Sequence, residues 1–151
     1  MYKHRMTTRS HPYCRCLFYS ANALARATTR VAEEAFAATG LAPSAAYVLM
    51  TVLREPGTSP GHIADVMMLD RSTVTRLLER LERKGLVRRR ARGRAVAVFP
   101  TPSAAALGET LAACARQAYE RFGRKLGRGM PGLTADVFDA AKAMEGGRSG
   151  G

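Results

Sequence analysis

The chain has no tryptophan, and its 151 residues include only five tyrosines and five phenylalanines. Sparse rings with abundant alanine argue against a large β-sandwich and for helices packed closely through small side chains. Acid is scarce as well: 12 Asp and Glu stand against 24 Lys and Arg, a formal charge of +12, so a polyanion is the natural partner. There are three cysteines, an odd number with two of them nearly adjacent, which is not an extracellular disulfide framework and fits a reducing cytoplasm. No uninterrupted apolar stretch approaches the roughly 20 residues needed to span a bilayer, so no membrane association is expected. Catalytic constellations are lacking too: there is no Gly-rich phosphate loop, no paired-carboxylate signal, and no Ser or Cys nucleophile with a base and an orienter. The expectation is a protein that is not an enzyme and has no cofactor and no metal site. What remains is an apolar content of 46%, enough for the core of one domain.

Residues 1–12 lack periodicity and carry Lys3, Arg5 and Arg9, so they read as a disordered basic arm. The basic start followed by CLFYSANALA imitates an export signal, but Ser20 and Asn22 interrupt its apolar run and the helical pattern continues straight through the would-be cleavage point. That pattern, Cys14, Leu17, Ala21, Leu24, Thr28, Val31 and Ala35, predicts a long helix over about 13–39 closed by Gly40. A second, largely apolar helix begins at Ala42-Pro43-Ser44 and breaks at Glu55-Pro56-Gly57. Ser59 caps and Pro60 starts a short helix through Ile63, Val66 and Met67, which ends near Leu69. Asp70 then caps a helix stopped by Gly85, with Val74, Leu77, Leu78 and Leu81 on one buried stripe. Two short helices joined so tightly make a helix-turn-helix. Residues 86–90 and 94–99 read as the strands of a hairpin with Ala91-Arg92-Gly93 at its tip. A long helix follows with Leu107, Leu111, Cys114, Ala118 and Phe122 inward, and a last one from about Thr134 with Val137, Ala140, Ala141 and Met144 inward. The tail, residues 146–151, reads as disordered.

Charge concentrates in the centre. Residues 70–94 hold ten Lys and Arg against three acids, a local excess of seven. The outer face of the Asp70-capped helix carries Arg71, Ser72, Thr73, Thr75 and Arg76, side chains suited to base edges and phosphates. Arg88, Arg89, Arg90, Arg92 and Arg94 then crowd around a glycine turn, where mutual repulsion is costly until a polyanion neutralises it. The candidate DNA-binding residues are therefore Arg71, Ser72, Thr73, Thr75, Arg76, Arg88, Arg90, Arg92 and Arg94. The fold class is mainly α with a small β wing: a winged helix-turn-helix over about 41–100, flanked by helices at about 13–39 and 103–145 within one domain of residues 13–145.

The run DRSTVTRLLERLERKGLV over residues 70–87, RAVAVFPTP over 94–102 with its Thr101-Pro102, and GLAPS over 40–44 resemble the MarR (multiple antibiotic resistance regulator) family of bacterial transcription factors. The resemblance implies a two-fold homodimer in which the end helices of both subunits interlock, binding double-stranded DNA at a pseudo-palindromic operator with half-sites about one helical turn apart. It places Ser72, Thr73, Thr75 and Arg76 in the major groove and Arg92 and Arg94 toward a minor groove. It also implies repression, relieved by a small phenolic or other lipophilic effector lodged between the dimer helices and the winged helix. In one respect the chain departs from the family. Asp-x-Arg-Asp-x-Arg, common in family wings, is replaced by a shorter loop without the bracing aspartates, so these arginines are expected to grip phosphates more than read sequence.

Cys14 and Cys16 flank Arg15 at the start of the first helix, and some relatives use a cysteine there to sense oxidants. Three readings stay open for them: redox sensing, inert packing of Cys14 in the apolar seam, and metal binding through His11, Cys14 and Cys16. For the whole chain the alternatives to a specific regulator are a weakly specific architectural DNA binder and a redox or metal sensor acting through protein contacts.

Overall fold

The computed structural model describes residues 11–146; most of the expected basic arm and the tail after Gly146 lie outside the described residues. In chain order the elements are α1 (Leu17–Phe36), α2 (Pro43–Arg54), α3 (Pro60–Met67), α4 (Arg71–Arg83), β1 (Val87–Arg92), β2 (Ala95–Pro100), α5 (Pro102–Leu126) and α6 (Met130–Glu145). This is the mainly α architecture with a small wing that the sequence pattern requires. No single helix among the described residues is long and apolar enough to cross a membrane.

The core forms where α2, α3 and α4 bring apolar stripes together. Val48, Leu49 and Val52 of α2, Ile63 of α3, and Val74, Leu78 and Leu81 of α4 are fully buried, and Leu111 of α5 closes the cluster. Each such Leu or Ile contributes roughly 1.5–3 kcal/mol. Phe36, at the end of α1, is also fully buried and its ring lies 5.4 Å from that of Tyr47 on α2. An ion pair of 3.0 Å between Glu34 and Arg121 ties α1 to α5 at the surface.

α4 ends in a complete Schellman motif. Gly85 takes the left-handed conformation, its N–H donates to Glu82 O, and the Leu86 N–H reaches back to Leu81 O at 2.9 Å. The strand that follows starts from a fixed point. Thr101 locks the same joint from the other side: its N–H donates to Leu86 O, its hydroxyl donates to Gly85 O at 2.6 Å, and its Oγ1 accepts the Ala104 N–H that opens α5. One threonine therefore joins the end of α4, the base of the wing and the N-terminus of α5.

The wing pairs antiparallel from Val87 with Pro100 to Arg92 with Ala95. The turn is therefore Gly93-Arg94, two residues instead of the expected Ala91-Arg92-Gly93. Gly93 alone has positive φ there, the signature of a type II′ hairpin, whose twist matches the strands. At its base β2 gains a second neighbour, because Gly57 and Thr58 exchange backbone bonds with Val98 at 2.8 Å. A Cβ on Gly57 would sit 3.3 Å from the Phe99 ring, and its φ is +88°, so glycine suits this close approach.

Several expectations need correction. Asp70 stands at the N-cap of α4, yet its side chain makes no capping bond; the Thr73 and Val74 N–H groups are taken by the Asp70 carbonyl. The first α-helix is shorter than 13–39, because residues Pro12–Arg15 form a separate 3₁₀ turn broken at Cys16, and Ala37–Thr39 form another before left-handed Gly40. The last helix starts at Met130, since Pro131 suits a first turn and Gly132 is tolerated within it. Val137, Ala140 and Met144, expected inward, are exposed, and Met130 is the one buried residue of α6. Leu17 and Ala21 are exposed as well, so the apolar seam of α1 is covered only toward its C-terminal end.

Replacing Thr101 by Val keeps the shape but orphans the Gly85 carbonyl and the α5 cap. We expect a loss of about 2 kcal/mol, read as a lower urea midpoint, whereas Thr101→Ser retains most of the stability. An unchanged midpoint for T101V would refute the clamp.

Candidate nucleic-acid interface

The stripe that buries Val74, Leu77, Leu78 and Leu81 turns the other side of α4 outward. Arg71, Ser72, Thr75 and Arg76 are exposed, and Thr73 is half-buried at the edge. The Thr75 hydroxyl donates to Arg71 O at 2.9 Å, which leaves its lone pairs as acceptors toward solvent. Arg71 leans toward the neighbouring helix: a Cβ on Gly61 would meet its guanidinium nitrogen at 3.7 Å. That places a cation over the first turn of α3, beside Ser59, whose Oγ accepts the His62 N–H at 3.1 Å.

The wing sorts its arginines by strand alternation. Arg88, Arg90 and Arg92 occupy alternate positions on β1, so they share one face with Phe99, Ala97 and Ala95 of β2. All three are exposed, and the Arg90 guanidinium lies 5.8 Å over the Phe99 ring, which holds its stem while leaving its donors outward. Arg94 projects from the turn. Arg89, on the other face, turns back to α4. Its Nη2 meets Glu82 Oε2 at 2.6 Å, its Nε the same oxygen at 3.1 Å, and its backbone N–H the Oε1 at 3.2 Å. The Arg89 side-chain bonds, followed by its backbone bond, hold the Glu82 carboxyl below the usual carboxylate range. The absent wing aspartates thus have a counterpart that the sequence concealed, an acid in the last turns of α4. Of the ion pairs among the described residues, this is the one that engages a wing arginine.

A groove of about 330 Å³ separates α4 from the wing, lined by Pro60, Thr75, Leu78, Arg89, Arg90, Ala91 and Val96. The hydroxyl-bearing face of the helix and the basic strand therefore border one concavity. His62, on α3, is exposed and pairs with Glu55 at 2.8 Å.

Farther away, α1, α2, α5 and α6 surround an apolar cleft of about 490 Å³, into which Tyr47, Met68, Tyr119, Phe122 and Phe138 project. Met68 caps α3 and is the only non-glycine residue with positive φ among the described residues, at φ 49° and ψ 46°. That conformation costs a residue with a Cβ roughly 1–2 kcal/mol. It also stands two residues before Asp70, at the turn into α4. Neither Met68 nor Tyr47 stood out in the sequence as more than an apolar residue; the one available signal was the lack of glycine where a short helix must turn sharply.

At the opposite end of α1, Cys14 is exposed and Cys16 half-buried, so Cys14 is not packed in the seam. The Tyr13 N–H reaches His11 Nδ1 at 3.4 Å, and the Tyr13 and Tyr19 rings stack 4.6 Å apart. No three His, Cys, Asp or Glu side chains converge as a metal site among the described residues. Cys114 is buried in the α5 face.

The sequence pattern of the MarR family matches residues 39–95, from the turn after α1 to the wing. No curated protein matches the chain by sequence. Among solved structures, the Mycobacterium tuberculosis transcriptional regulator MosR is similar with a TM-score of 0.77 and 22% identity, over 89% of this chain and 98% of that one. The Staphylococcus aureus MepR–DNA complex gives 0.72 and 17%, over 85% and 97%. CouR from Rhodococcus jostii, bound to p-coumaroyl-CoA, gives 0.71 and 20%, over 87% and 94%. MarR family members are transcriptional regulators and not enzymes. The family's sequence pattern thus spans the helix-turn-helix and the first strand of the wing, and the fold over most of the chain is the winged helix fold of these regulators.

Proposed function

We propose that the protein is a cytoplasmic, homodimeric repressor that reads a pseudo-palindromic operator through α4, grips the flanking backbone with its wing, and lets go when a ligand fills the cleft. The observation that carries this reading is the shared groove: Thr75 of α4 and Arg89 and Arg90 of β1 line one concavity, with the exposed Ser72 and Arg76 on the same helix and Arg88 and Arg92 on the same strand. Helix width suits a major groove, and the arginine row suits the adjacent phosphates. The Glu82–Arg89 pair fixes the angle between the two. MepR, similar in fold, is seen with DNA.

Dimerisation is supported by apolar surface at both chain ends. Leu17 and Phe18 on α1 are 69% and 70% exposed, and Phe138 and Met144 on α6 are 47% and 75% exposed. Such a surface on one copy calls for a second. The effector reading is supported by the cleft and by CouR, whose bound p-coumaroyl-CoA shows that this fold accommodates a ligand. Met68 lines the cleft and adjoins the recognition helix, so an occupant that shifts it shifts the turn into α4. Thiol oxidation is a second release signal, supported by the exposure of Cys14 beside Cys16.

Arg76→Ala should cost about 1–3 kcal/mol on operator DNA and relax preference at particular bases, whereas Arg90→Ala should weaken all duplexes alike and lower the salt slope by about 1. Selection from random duplexes supplies the operator. Equal losses for Arg76→Ala on operator and random DNA, or no selected sequence at all, would leave an architectural binder. Sedimentation should give twice the 16.3 kDa chain mass, and the double variant Phe18→Asp, Phe138→Asp should be a folded monomer with weakened operator binding. A monomeric parent at tens of micromolar would overturn the dimer. Peroxide should free the operator from the parent protein but not from a Cys14→Ser, Cys16→Ser variant; parent-like release in that variant would sink the redox signal.

A further inference from the structure

Three arginines share one face of β1, and a single ring stands among them. Phe99 lies opposite Arg88 in the antiparallel register, with Arg90 diagonal to it on the same face. The ring takes the diagonal partner: the Arg90 guanidinium carbon is 5.8 Å from its centroid, and among the described residues neither Arg88 nor Arg92 makes such a contact. Arg90 is distinguished in a second way. Of the three, it alone lines the groove between α4 and the wing, beside Thr75. The arginine held by the ring is thus the one that borders the hydroxyl-bearing face of the helix.

Phe99 is itself held from behind. Val98, its neighbour on β2, exchanges backbone bonds with Gly57 and Thr58 at 2.8 Å, which brings the turn after α2 against the strand. A Cβ on Gly57 would stand 3.3 Å from Cε1 and 3.4 Å from Cζ of the ring, so on that side the ring edge rests on bare backbone. The ring is half-buried while Arg90 is exposed. A flexible cationic side chain therefore lies on a fixed aromatic surface at the base of the wing, away from the turn at Gly93-Arg94. A cation over a ring is attracted through the ring face and keeps its N–H donors for a phosphate. Immobilising a long side chain at an interface lowers affinity by roughly 2–10-fold, and an arginine already held incurs less of that cost.

Building on the reading of α4 and the wing as a DNA interface, we infer that Phe99 is a positioning residue for DNA binding. It holds Arg90 in place ahead of the duplex, so that Arg90 is the pre-set phosphate contact of the wing while Arg88 and Arg92 adapt to the backbone on arrival. Its effect is on affinity for any duplex and not on base preference.

Two measurements test this on the full chain. In the free protein the NMR order parameter of the Arg90 Nε–H should exceed those of Arg88 and Arg92, and Phe99→Leu should lower it to theirs. Against DNA, Phe99→Leu should weaken operator and random duplexes alike by roughly 2–10-fold for each wing engaged, with the salt slope kept because the phosphate contact survives. Added to Arg90→Ala, it should weaken binding no further. Monofluoro- and pentafluorophenylalanine at position 99 keep the ring's shape while progressively cancelling its negative face, so they should lower affinity in that order even where Phe99→Leu does not fold. An Arg90 as mobile as Arg88 and Arg92 in the parent, unchanged or tighter binding by Phe99→Leu, or no response to fluorination would overturn the positioning role and leave the DNA reading intact. So would a Phe99→Leu loss that is equally large in the Arg90→Ala background, the mark of a ring that serves the fold alone. If the parent binds no duplex at low salt, the DNA reading falls and this role falls with it.

Discussion

The orientation of every exposed face of the winged helix depends on one joint, where the Gly85 carbonyl, the Leu86 backbone and the Thr101 hydroxyl meet. The exposed face of α4 keeps its angle to the wing beside it and to the body behind it only if the connections between them are rigid. Here those angles converge on two consecutive residues. The left-handed turn at Gly85 reverses the chain, Leu86 buries itself against the core, and the threonine that ends the wing begins α5. A carbonyl held by the hydroxyl of the buried Thr101 resists distortion more than packing alone, because opening the bond strands the threonine's polar group. The Glu82–Arg89 bridge acts on the same geometry from the surface, where solvent screening makes it a guide to orientation more than a source of stability.

Much of this was legible in the sequence, because the signals were local. The stripe Val74, Leu77, Leu78 and Leu81 follows helical spacing, Ser59-Pro60 is a cap and first turn, and Gly85 stops a helix; each needs only its neighbours to be understood. Asp70 shows where local reading falls short. Its place at the N-cap was correct, but the backbone geometry gave the first-turn donors to its carbonyl and not to its carboxylate. The hairpin slipped by one or two residues because a glycine can open a two- or three-residue turn equally well. The Arg89 partner lies seven residues away across a chain reversal, and five arginines in near succession looked alike until strand alternation assigned them to two faces.

The end helices were misjudged for a different reason. Their apolar spacing is genuine, but spacing reports which face wants burial and not what covers it. Within one chain, Leu17, Phe18, Val137 and Met144 remain exposed. Tyr47 and Met68 illustrate the converse: a wall contributed by four helices has no sequence signature, since its members are ordinary apolar residues brought together by the tertiary fold.

The loose hold on α6 bears on how quickly anything could reach that wall. A helix of 16 residues with Met130 as its one buried side chain has little packing to hold it closed within one copy. Traffic through the cleft would then be timed by the fraying of this helix and would need no permanent portal, and it would slow wherever the outer face of α6 is covered. Access to the cleft and coverage of α6 therefore share one surface.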